Sequence, residues 1–185
     1  MAQNKPDFRT VEVNLPAPFD GLHLHKGWFP GVIGWVASEH GRYYAKHWGL
    51  GAVFEAKVAG ALAELVLRYQ PDTDLLLTLT DHERIVASIT VDGSHETVVQ
   101  DGARIRFVIA SEQMQGTGIG RLLVGHAMDF ISQAGFSRAW LTTFKGLDPA
   151  RRLYEQAGFS LTEQCEDRSW GVTLTEQRFD WKKPD

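Results

Sequence analysis

The chain has 185 residues, 43% of them hydrophobic and 23% charged, with a net charge of −4. That is enough apolar material for one domain with its own core, while the weakly acidic balance argues against nucleic acid as the main partner, since phosphate-backbone binding leans on a basic surface. A single cysteine, Cys165, excludes a disulfide framework and a zinc cluster of thiolates. No apolar run approaches the ~20 residues of a membrane span and the opening stretch lacks a signal-peptide core, so no membrane association and a cytoplasmic location are expected.

In chain order, the opening is polar and carries Pro6, Pro16 and Pro18, and reads as an arm over residues 1–21. LHLHK (Leu22 to Lys26) alternates and predicts a first strand of a single domain spanning 22–185. His23 and His25 share one face of it, but no third ligand stands at metal-binding spacing, so no metal is expected. Residues Val32 to Trp48 read as a helix interrupted near Gly41. A clearer helix follows, with Phe54, Val58, Ala61, Leu62, Leu65 and Tyr69 at helical spacing, ended by Pro71. DLLLTLT (Asp74 to Thr80) and IVASITV (Ile85 to Val91) suit a hairpin. SHETVVQ either extends the sheet or loops out. ARIRFVIA (Ala103 to Ala110) is the next strand.

EQMQGTGIG (Glu112 to Gly120) follows that strand at once, with glycines at 116, 118 and 120. Behind it, Ile119, Leu122, Leu123, His126, Ala127, Phe130, Ile131 and Ala134 form a helical stripe closed by Gly135. RAWLTTF (Arg138 to Phe144) is a strand. Asp148-Pro149 opens a short helix through Leu153 and Tyr154, and Gly158 ends it. FSLTEQC and GVTLTEQRFDW form a closing antiparallel pair.

A strand running into a glycine loop and then a helix is an anion site, because the first helical N–H groups are unpaired and the glycines let a phosphate approach the backbone. The spacing fits neither the P-loop, which needs a Lys after the last glycine, nor the dinucleotide fingerprint G-x-G-x-x-G. Gln115-Gly116-Thr117-Gly118-Ile119-Gly120 matches Q/R-x-x-G-x-G/A, and the chain resembles the GNAT acetyltransferase superfamily, in which this is the pyrophosphate loop. ARRLYEQAGF (Ala150 to Phe159) is similar to the family's late helix. PGVIGWVASEHGRYYAKHWG, Phe54-Glu55 and Ser169-Trp170-Gly171 resemble the acetyltransferase domain often fused behind a MarR-type repressor, here expected to be free-standing. Gln115 stands where Arg is commoner, Glu112 where Pro is usual and Phe144 where Asn is frequent.

The resemblance implies an α/β fold, with a mixed sheet of about seven strands flanked by about four helices. It implies acetyl-CoA as co-substrate and an amine as acceptor, joined in one ternary complex. Pyrophosphate would sit on Gln115, Gly116, Thr117, Gly118, Ile119, Gly120 and Arg121, and pantetheine would pair with Val108, Ile109 and Ala110 as an added strand. Tyr154 matches the acid that protonates the departing thiolate. Glu112 and His40 are candidates for the general base, with a water chain as the alternative. Trp35, His40 and Tyr44 would line the acceptor pocket, or form an aromatic core. N-acetylation of a small-molecule amine is the leading expectation. The rivals are a non-catalytic acyl-CoA sensor, which a pocket filled by Phe144 would favour, and an acetyltransferase acting on protein or peptide. Exposed closing strands often pair in this superfamily, so a homodimer is an open expectation.

Overall fold

The computed structural model describes residues 11–15 and 17–184. Its strands are β1 (Val11–Asn14), β2 (Leu22–Lys26), β3 (Leu75–Asp81), β4 (Arg84–Asp92), β5 (Ala103–Ala110), β6 (Arg138–Phe144), β7 (Ser160–Asp167) and β8 (Leu174–Lys182). The helices are α1 (Val32–Trp48), α2 (Ala52–Leu67), the single turn α3 (Val98–Asp101), α4 (Ile119–Gln133) and α5 (Asp148–Gln156). The strands form one eight-stranded sheet in the order β1-β2-β3-β4-β5-β6-β8-β7.

The period-2 alternation of the strands sorts side chains to two faces. In β3, Leu75, Leu77 and Leu79 face a core shared with Ile119, Leu123, Ala127 and Ile131 of α4. Leu76 faces the other way, into a core built by Val36 of α1 and by Phe54, Leu62 and Leu65 of α2. The α4 stripe is buried at helical spacing, and each such aliphatic side chain contributes roughly 1.5–3 kcal/mol by leaving water. The segment SHETVVQ, left open between sheet and loop, forms α3 and the turn before it. The arm expected over residues 1–21 contains β1, which pairs antiparallel with β2 and adds a strand to the sheet. The remainder of that arm up to residue 10, and residue 16, lie outside the described residues.

Two glycines follow from close approach. Gly41 does not interrupt α1, which runs unbroken through it. A Cβ there would come within 2.7 Å of the Glu55 carboxylate of α2, so the glycine lets the two helices touch. Gly102 has φ +82 and ψ −166, a region closed to other residues, and a Cβ on it would meet the Arg138 carbonyl oxygen at 2.1 Å. Gly102→Ala is therefore expected to cost about 3 kcal/mol or more, read as a shifted urea midpoint at unchanged slope; a midpoint equal to wild type contradicts the stated strain.

The feature that makes the site is in the middle of the sheet. Every neighbouring pair is antiparallel except β5 and β6, which are parallel and pair only at Ala103↔Ala139 and Arg104↔Trp140. Beyond that point the strands diverge. The cause lies in β5: its register with β4 shifts between Ser88 and Thr90, and Phe107 sits at φ 53. A bulge of this kind bends a strand and raises its twist. The second halves of β5 and β6 are thereby pulled apart, while β5 stays anchored to β4 through Ser88↔Ile109 and Ala87↔Ala110.

Candidate active site

A cavity of about 620 Å³ occupies the gap between the diverging strands. Val108, Ile109 and Ala110 of β5 form one wall, and Leu141, Thr142 and Thr143 of β6 the other. The edge of β5 that faces β6 has no ladder partner along this stretch. The cavity therefore presents a strip of backbone donors and acceptors to whatever enters it.

The glycine loop closes one end. After a short 3-10 turn at Glu112–Met114, Gly116 and Gly118 adopt φ +77 and +93, and α4 starts at Ile119. These positive φ values favour glycine and turn the chain so that the helix points its N-terminus at the cavity. The N–H groups of Gly116, Gly118, Ile119, Gly120 and Arg121 make no hydrogen bond among the described residues. Gln115, Gly116, Gly118, Ile119, Gly120 and Arg121 all line the cavity. Thr117 does not: its hydroxyl donates to the Met114 carbonyl at 2.7 Å, and it faces a shallower hollow beside Phe19 and His126. The Gln115 amide reaches back to the Ala110 carbonyl at 3.4 Å, tying the loop to the end of β5.

Because the strands separate, side chains from the two layers meet through the sheet. Tyr154 of α5 reaches the cavity from the α4 side. It is 6% exposed, and burial holds its phenol well above the usual tyrosine range. Tyr44 of α1 comes from the opposite side; burial raises its phenol too, reinforced by Tyr154 and Tyr43. His40 lies one turn earlier on α1, stacked with Tyr44 at 6.1 Å and edge-on to Phe107 at 6.4 Å. Its Nδ1 lies 2.8 Å from the Val36 carbonyl, which requires the proton on Nδ1 and leaves Nε2 as an acceptor. Burial lowers the imidazole to about 4.

That lowering has a consequence for stability. A histidine held neutral in the fold binds fewer protons than in the unfolded chain between about 4 and its ordinary 6.5. Stability should thus fall as pH drops from about 6.5 to about 4, by at most roughly 3 kcal/mol from this residue. His40→Gln is expected to flatten that part of the stability profile. Parallel profiles for the two proteins over this window would contradict the burial of a neutral imidazole.

Besides Thr117, two of the expected site residues are not brought to the cavity. Glu112 lies on the outer surface, 68% exposed at its side chain, in an ion pair with Lys46. The hydrogen bond from Lys46 holds its carboxyl below the ordinary range, so it is a poor proton acceptor as well as a misplaced one. The 3-10 turn that carries it aims the side chain at α1 rather than into the gap between the strands. Trp35 is half-buried against the α1/α2 core and does not line the cavity. Phe144 packs with Tyr44, Trp48, Phe54 and Trp170 in an aromatic cluster beside the site and leaves the cavity unfilled.

The sequence reading missed Arg106, which lines the cavity just before the bulge, and Thr142 and Thr143, which line it from β6. Alternation along β5 places Arg106 on the α2 face with Arg104, and a charged residue on an otherwise buried strand was the signal available. The charged side chains lining the cavity are Arg106, Arg121 and Arg152, with no Asp or Glu among the lining residues. No group of three or more His, Cys, Asp or Glu among the described residues could hold a metal ion. No described helix is long and apolar enough to cross a membrane.

A mixed sheet opened at its parallel pair, with a glycine loop and helix N-terminus at the mouth, is the N-acyltransferase fold. The chain belongs to the acetyltransferase (GNAT) family, whose family model matches residues 37–159. No curated protein sequence matches the chain. Among solved structures it is similar to yncA of Salmonella typhimurium, described with its cofactor acetyl-CoA, at 15% identity and a TM-score of 0.65, over 88% of this chain and 95% of that one. It is also similar to a variant of the spermidine N-acetyltransferase SpeG from Vibrio cholerae, at 14% identity and a TM-score of 0.62, over 86% and 94%. A GNAT-family acetyltransferase from Streptococcus pneumoniae aligns at 13% identity and a TM-score of 0.60, over 88% and 99%.

Proposed function

We propose that the protein transfers an acetyl group from acetyl-CoA to the primary amine of a small molecule, within one ternary complex. The observation that carries this reading is the gap between β5 and β6: an unpaired strand edge leads from a loop of unpaired N–H groups to a buried tyrosine. The residues present fit acetyl-CoA on this structure's own features. The free N–H groups of Gly116 and of Gly118 to Arg121 at the start of α4 suit a pyrophosphate, and Arg121 and Arg152 add positive charge to the lining. Val108, Ile109 and Ala110 suit an extended amide-bearing arm that pairs as an added strand.

Bound there, acetyl-CoA supplies the acetyl thioester. A β5 backbone N–H beyond the bulge at Phe107 polarises the thioester carbonyl. His40 Nε2 accepts a hydrogen bond from the incoming amine and orients it; an imidazole lowered to about 4 does not serve as the terminal base, so the ammonium proton leaves through water at the cavity mouth. As the C–N bond forms and the C–S bond breaks, Tyr154, which keeps its phenolic proton at neutral pH, donates it to the leaving sulfur, and the second proton lost by the nitrogen restores the phenol.

The size of the cavity supports transfer over a purely sensing role, because Phe144 packs outside it. A panel of primary amines with acetyl-CoA, followed by free thiol release, is the test. Amine-dependent release above the background rate is expected. Tight binding of acetyl-CoA with no amine-dependent release would favour the non-catalytic reading.

A further inference from the structure

The charge of the cavity carries information about the acceptor. A polyamine acceptor stays cationic beyond its reacting nitrogen and needs carboxylates to receive that charge, yet the lining has none. Of the three lining arginines, Arg121 and Arg152 stand on α4 and α5 behind the loop, at the donor's end. Arg106 stands apart from them. It lies beside Phe107, its guanidinium 4.6 Å from that ring, and Phe107 also meets the His40 ring. Arg106 therefore belongs to the end of the cavity that His40 and Tyr44 enclose.

Its surroundings leave it with bonding capacity. A guanidinium has five N–H donors, and among the described residues the Arg106 side chain makes one hydrogen bond, at 3.2 Å to Asp92 Oδ2. The same oxygen also accepts from Arg68 at 2.6 Å. One buried carboxylate is thus shared by two guanidiniums, with Arg104 on the same strand face. Arg68 also lies 3.7 Å from Glu64, so Arg106 shares Asp92 within a mixed-charge group rather than holding a carboxylate of its own; its side chain is 20% exposed and the residue lines the cavity.

We propose that the acceptor is a primary amine that also bears a carboxylate, and that Arg106 receives the carboxylate by a charge-assisted pair while the amine nitrogen lies toward His40. This rests on the acetyl-transfer reading and names its substrate class. The alternative role for Arg106 is to balance Asp92 within the fold. A balancing role alone gives no preference between an amino acid and its amide.

The test compares glycine, β-alanine and glutamate with glycinamide, β-alaninamide, putrescine and spermidine, measured as kcat/KM for thiol release from acetyl-CoA. Wild type is expected to favour glycine and β-alanine over their amides, and glutamate over the polyamines, by about tenfold or more, the scale of one charge-assisted pair. In Arg106→Gln that advantage should disappear, and Arg106→Lys should restore part of it. Amides or polyamines used as well as the acids by wild type overturn the proposal, as does an acid preference that survives intact in Arg106→Gln. Should Arg106→Gln fail to fold, the wild-type comparison of acid with amide decides by itself. Should no amine release thiol, the transfer reading fails separately. Calorimetric binding of glycine and glycinamide to the CoA-loaded protein then decides the carboxylate claim, with equal binding overturning it.

Discussion

Tyr154→Phe is expected to lower the single-turnover rate of acetyl transfer by about 10²-fold, at the low end of what general acid catalysis contributes. The thiolate is already a tolerable leaving group, which is why the low end applies. The structure gives the hydroxyl its suitability. Tyr154 lies in the cavity at 6% exposure, and burial keeps its phenol protonated at neutral pH. The ring packs edge-on against Phe159, with centroids 6.4 Å apart, and phenylalanine preserves that contact. Stability should therefore change little, and acetyl-CoA affinity should remain within about twofold of wild type, less than the 1.4 kcal/mol that a tenfold change represents. A variant that turns over at the wild-type rate would remove Tyr154 from proton delivery and leave that step to water.

Gly118→Val should abolish the stabilisation by acetyl-CoA, worth roughly 2.7 kcal/mol at a ligand concentration 100 times its dissociation constant. Gly118 is the residue on which α4 starts, at φ +93. A β-branched side chain resists that conformation, and relaxing it turns the N–H groups of residues 118–121 away from the cavity. A Cβ there would also come 3.7 Å from Phe19, so the fold itself has room and the apo protein should lose only about 1–2 kcal/mol. Gly60→Ala is the matching control. It lies within α2 with nothing within 4 Å of the added carbon, and should raise stability slightly while keeping the full ligand shift. A ligand shift in Gly118→Val equal to wild type would dismiss the loop as the anion site.

Where local chemistry decided the structure, the sequence was informative. The α4 stripe, the Asp148-Pro149 start of α5 and the Gly116–Gly118 turn each follow from residues within one turn of one another. Non-local features were not legible. Gly41 looked like a helix breaker because the reason for it, Glu55, arrives from another helix. Trp35 and Tyr44 share an aromatic-rich helix, and only the docking of α1 on the sheet decides that Tyr44 enters the cavity while Trp35 stays outside. Glu112 is near the loop in sequence, but its turn directs it to Lys46. Arg106 required knowing that β5 and β6 diverge, and that rests on a bulge at Phe107 which no residue type announces.

Acetyl-CoA is expected to lie in the gap between β5 and β6, with its pyrophosphate on the loop. Amide hydrogen exchange with and without acetyl-CoA tests it most directly. Slowed exchange is expected at residues 108–110, 116 and 118–121, whose strand edge toward β6 and N–H groups lack backbone partners among the described residues of the free protein, with little change in the closing pair β7 and β8. Unchanged exchange across both segments, together with protection elsewhere in the chain, would contradict it.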